Sequence, residues 1–161
     1  MKKNIMITAL CLGFFACTNE NTQNAYKAVD EQKAEQARLD SVTKLGNETF
    51  ADFRAAFKEQ KAGTENFFVK QKFGTSTEQE EHLWLSDIEA RGDSLFGVVN
   101  SQPKATREVK LNDTILIDPS RVTDWMYYDN GKLVGGYSVL YQRSKMTEEE
   151  RAEFDKQYGL E

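Results

Sequence analysis

His82 is the only histidine in the chain, so any imidazole acid/base step, and any histidine metal ligand, must use it. Strand alternation puts His82 on the face of Trp84 and Ser86 and turns Asp87 to the other face, so a carboxylate partner has to come from another segment. Asp124 is the natural candidate. One reading is a His82–Asp124 dyad beside Trp125. The other, which is preferred, is a structural histidine whose ring bonds a backbone group or a carboxylate and fixes a sheet. Asp124 and Trp125 also divide two ways. Asp124 can cap a turn after Pro119 by accepting from backbone amides while Trp125 fills the core, and this is the favoured reading. Alternatively Trp84, Trp125 and Tyr137 line a groove with Asp124 as its polar anchor and Arg143 near its rim. A binding surface would then be His82, Trp84, Asp124, Trp125, Tyr137 and Arg143.

Other chemistries lack their residues. The sequence has no Gly-x-Gly-x-x-Gly and no P-loop to cradle phosphate, and no Gly-x-Ser-x-Gly elbow. One histidine and two cysteines do not make a zinc set, and Asp113, Asp118, Asp124 and Asp129 are not spaced as a calcium loop. No cofactor is expected. A paired-carboxylate glycosidase finds many acids but no evidence of a pair. Arg91-Gly92-Asp93 matches an integrin-binding tripeptide, but Gly-Asp between two strands is ordinary hairpin chemistry.

Cys17 carries a different chemistry. Lys2 and Lys3 precede an apolar run from Ile5 to Phe15, and Ala16 stands before the cysteine, in the order of a secretory signal. As a helix the run would reach about 16 Å, short of the roughly 30 Å hydrocarbon core of a bilayer. The pattern resembles a bacterial lipoprotein signal, which implies cleavage after Ala16, acylation of Cys17 (a palmitate-type anchor) and attachment to membrane lipid. Thr18 in place of Asp leans, by the same resemblance, towards the outer membrane facing the periplasm. Loss of Lys2 and Lys3 moves the formal charge from −5 to −7, a body with no basic footprint for nucleic acid. Acylation would also consume the one remaining cysteine, leaving none for a disulfide.

The elements that must position these groups follow from periodicity. Residues 1–16 read as signal peptide, 17–24 as lipidated cysteine and flexible tether, 25–46 as a charged helix and 47–161 as one α+β domain. Gly46 is expected to stop the charged helix. Asn47 should cap a second, through about Lys61, with Phe50, Phe53 and Phe57 on its core face. Strand patterns cover Glu65–Phe73, Glu81–Ala90, Ser94–Val99, Leu111–Ile117 and Trp125–Tyr128, with Leu133–Tyr141 as the longest. In Glu81–Ala90, Leu83 and Leu85 are expected opposite His82, Trp84 and Ile88. Asn130-Gly131 supplies a type I′ turn, Gly135-Gly136 a bend or close approach, and Thr147 with Glu150 a capping box for a last helix. The expected fold is a curved antiparallel sheet of five or six strands, with N-terminal helices and a short C-terminal helix. Helices cover one side of it.

Several pieces carry a family resemblance. They are His82-Leu83-Trp84-Leu85-Ser86-Asp87-Ile88, Gly97 with Asn100 and Pro103, and Asp124-Trp125-Met126. Further on come Asn130-Gly131-Lys132-Leu133, Gly135-Gly136-Tyr137, and Met146-Thr147 before Glu149-Glu150-Arg151. In this order the chain resembles the bacterial family typified by YegJ, a domain of unknown function. The resemblance, with the Phe50–Phe57 helix, covers most of the chain after Cys17 and leaves out Lys27–Gln36. It implies no activity; members occur as lipoproteins and as exported or soluble proteins. The expected function is a membrane-anchored envelope lipoprotein that binds another envelope protein without catalysis. An envelope enzyme using His82 with Asp124 is the alternative.

Overall fold

The computed structural model describes residues 20–77 and 79–160. The signal run and Cys17 lie outside them. The order is α1 (Glu20–Glu48), α2 (Phe50–Glu59), β1 (Thr64–Gly74), β2 (Glu80–Arg91), β3 (Ser94–Val99), β4 (Thr114–Leu116), β5 (Val122–Asp129), β6 (Lys132–Gly135), α3 (Tyr137–Ser144) and α4 (Glu148–Tyr158). By contacts the chain divides into residues 1–34 and 35–161. In the first unit, helical residues 20–34 are mostly polar, leave Tyr26 and Val29 exposed, and carry an exposed Lys27–Glu31 pair at 4.0 Å. No helix among the described residues is long and apolar enough to cross a membrane.

The second unit is an α+β fold around one curved, open antiparallel sheet in the order β4-β3-β2-β1-β5-β6. Both faces of the sheet are apolar, because its strands carry adjacent large residues pointing opposite ways. On one face Val69, Leu85, Val99 and Trp125 pack against Phe50 and Phe53 of α2. On the other, Met126 with Phe68 and Trp84 meets Val139 of α3 and Phe154 of α4. Helices therefore cover both faces, where the sequence reading placed them on one.

Three local expectations are corrected. Gly46 lies inside α1, because a Cβ there would sit 2.4 Å from the Thr123 carbonyl oxygen; the missing side chain lets the helix rest on β5. Asn47 does not cap α2 but donates to the carbonyls of Pro119 (2.8 Å) and Val122 (3.1 Å). In β2 the register shifts between Ser86 and Glu89, with Asp87 at φ 48°. That bulge turns Ile88 into the cluster of Leu83 and Leu85 instead of the face of His82. The Asn130-Gly131 hairpin and the Thr147–Glu150 capping box stand as read.

Candidate functional site

The site is organised by the start of α3. The strand read over Leu133–Tyr141 ends at Gly135, and a helix begins at Tyr137. Gly135 (φ 75°) and Gly136 (φ 65°) occupy left-handed backbone open chiefly to glycine, and the Trp125 ring fills the place of a Gly135 Cβ. A helix start exposes amides that need acceptors, and Gly136 has no side chain to supply one. Asp124, fully buried on β5, supplies both oxygens. Its Oδ1 accepts from the amides of Trp125 (2.8 Å) and Tyr137 (3.1 Å), and its Oδ2 from the amide (2.7 Å) and hydroxyl (2.6 Å) of Ser138. Burial raises the Asp124 pKa, opposed by the bonds from Ser138 and Trp125 and by the charge of Lys70.

Lys70 is the cross-strand partner of both Asp124 and Trp84. Its Nζ donates to Ser138 Oγ at 3.1 Å and lies 5.2 Å from the centre of the Trp84 ring. Burial lowers its pKa, and Asp124 partly restores it. His82 sits one strand further out. With β1 between β2 and β5, and with His82 opposite Lys72 but Asp124 opposite Lys70, their backbones are separated by two strand spacings, about 10 Å, and also by two residues along β1. A bulge on β5 inserts Thr123 between the partners of Lys70 and Gln71. His82 Nδ1 meets Thr123 Oγ1 at 3.1 Å, and burial with the nearby Lys70 charge lowers its pKa.

Above these groups α1 forms the wall of a cleft of about 380 Å³. Leu39, Asp40 and Thr43 face Lys70, His82, Thr123 and Ser138 across it, with Glu80 at one side. Glu35 holds α1 to α3 by accepting from the Tyr141 hydroxyl at 2.7 Å and pairing with Lys145.

The six residues read as one surface are thus distributed. His82, Trp84 and Asp124 share a sheet face. Trp125 is in the opposite core, its Nε1 donating to Thr49 Oγ1 at 3.1 Å, and Tyr137 packs edge-on against its ring at 5.7 Å. Arg143 makes a two-point pair with Asp155 that joins α3 to α4. His82 and Asp124 make no bond with each other among the described residues; each has other partners. The sequence pattern does not single out Lys70, Thr123 or Ser138. Lys70 shares its face with Phe68, an apolar neighbour that marks the face as covered, while Ser138 was hidden by reading α3 as strand.

Comparison with known proteins adds the family. The model of the family described as "Uncharacterized protein conserved in bacteria (DUF2314)" matches residues 36–161, which include every residue of the cleft. The chain belongs to this family. Over 81 residues the chain is 35% identical to a Neisseria meningitidis serogroup B protein named as a putative ankyrin repeat protein, covering 50% of this chain and 32% of that one. A 79-residue stretch is 29% identical to YegJ of Escherichia coli K12, covering 49% of this chain and 51% of YegJ. The chain thus spans about a third and about half of the length of these two relatives. No solved structure matches.

Proposed function

We propose that this chain is a bacterial envelope lipoprotein, acylated at Cys17, whose DUF2314 domain binds an envelope protein through the cleft between α1 and the sheet. The observation that carries the reading is the cleft itself. It is an open recess where a half-buried lysine, an imidazole and two hydroxyls converge without forming a catalytic pair. An enzyme using His82 with Asp124 needs a carboxylate free to meet the imidazole, whereas four hydrogen bonds from other groups hold that of Asp124. The relative named for ankyrin repeats supports protein partners in general, since such arrays present extended binding surfaces. The basic start, apolar run and Ala16-Cys17 junction support the anchor, and Thr18 in place of Asp supports an outer-membrane, periplasm-facing location.

The test uses the full-length lipidated protein, captured from native membranes as wild type, His82→Ala and Leu39→Glu. Leu39 is 40% exposed on the cleft wall, so its charge variant changes the surface and leaves the core intact. The expected result is a protein retained by wild type and weakened at least about tenfold by both variants at unchanged melting temperature. Retention of nothing, or equal retention by all three, overturns the reading.

A further inference from the structure

The cleft contains one cation without an ionic partner. Lys72 pairs with Glu80 at 2.8 Å, Asp40 accepts from Gln36 Nε2 at 2.8 Å, and the Asp124 oxygens are occupied by amides and the Ser138 hydroxyl. His82 bonds Thr123 through one ring nitrogen. Lys70 alone has no carboxylate within 4.0 Å among the described residues. Its Nζ meets a single hydroxyl and the Trp84 ring face. An ammonium has three donors, and one taken out of water gains most from a charged acceptor.

We propose that the cleft is a carboxylate-binding site in which Lys70 receives an acidic side chain of the protein partner. The inference rests on the protein-binding reading and adds the chemistry of the bound group. Charge decides against a doubly charged phosphate, because Asp40 and Glu80 line the same walls and only one cation is unpaired. A single negative charge matches it. The rest of the lining suits a side chain entering from solvent, with Leu39 and Val42 against its methylenes and the Thr43 and Thr123 hydroxyls beside its head. A bound carboxylate would favour the charged amine, so occupancy should raise the Lys70 pKa.

The experiment titrates the full chain with a short blocked peptide containing one glutamate, with the same peptide carrying glutamine, and with acetate. The Lys70 side-chain amine is followed by NMR. The glutamate peptide is expected to shift Lys70 saturably and raise its pKa. The glutamine peptide should bind at least about tenfold more weakly. Lys70→Met, which keeps the chain length over Trp84, should abolish the response in a protein whose amide NMR spectrum remains that of the folded chain, while Lys70→Arg retains it. Acetate binding as tightly as the glutamate peptide would overturn a side chain as the source and leave a free acid. Indifference to glutamate versus glutamine, persistence in Lys70→Met, or no shift of Lys70 with any of the three probes overturns the site. If membrane capture then still depends on His82 and Leu39, the protein-binding reading survives the loss of this one.

Discussion

Asp124 shows how a chemically suggestive residue becomes structural. Its four hydrogen bonds start α3 and tie it to β5, and they hold a carboxylate that burial alone would push towards its neutral form. Asp124→Ala leaves buried amides unsatisfied and removes the cap, so it should cost at least about 2 kcal/mol in urea unfolding. His82 gives a second test. Burial and the Lys70 charge lower its pKa from the ordinary 6.5, so its proton NMR titration should fall below that value and move back up in Lys70→Met. The linked stability has a definite sign. Below about pH 6.5 the unfolded chain takes up the histidine proton first, so this contribution is lost as pH falls towards the folded pKa. Glu81 acts in the usual carboxylate sense. The amides of Thr106, Lys104 and Ala105 hold its pKa down, so its stabilisation is present above pH 4.5 and lost as pH falls through the lowered value. Glu81→Gln should therefore flatten the acid limb of the stability–pH curve.

At the scale of elements, packing overrides local propensity. Glycine is a poor helix residue by about 1 kcal/mol against alanine, yet Gly46 stays inside α1 because β5 needs its space. Gly46→Ala should accordingly destabilise the fold by about 1–3 kcal/mol, the ordinary cost of overpacking, although it improves helix propensity. A stabilised Gly46→Ala in thermal unfolding would show that α1 does not seat on β5. The bulges of β2 and β5 matter in the same way. One returns Ile88 to the core and the other presents Thr123 to His82, so two extra residues set which side chains meet.

At the scale of the whole molecule, two apolar sheet faces demand helices on both sides, and the cleft is left where α1 meets the sheet across polar residues. Phe53, fully buried and in ring contact with Phe50, Phe57, Phe67 and Trp125, anchors the α2 side. Phe53→Ala should cost about 3–5 kcal/mol in urea unfolding. Cys17→Ser should release the protein into the aqueous phase of a detergent partition and abolish acyl labelling, and continued detergent partitioning of that variant would refute a Cys17 anchor.

Residue order by itself determined the α+β class, the strand over Glu65–Phe73, the Asn130-Gly131 turn and the capping box of α4, because each depends chiefly on neighbours within a few positions. It also put His82 and Trp84 on one strand face, and grouped them with Asp124, Trp125, Tyr137 and Arg143 as one surface. Only the tertiary structure decided that β1 separates His82 from Asp124, that the core favoured for Trp125 lies on the sheet face opposite Asp124, and that Gly135-Gly136 ends a strand and opens a helix. It also brought Lys70 to Ser138, residues 68 positions apart, across a cleft walled by α1. Alternation along a strand fixes which way a side chain points. Strand order, bulges and helix docking fix what it meets, and those depend on contacts between segments distant in the chain.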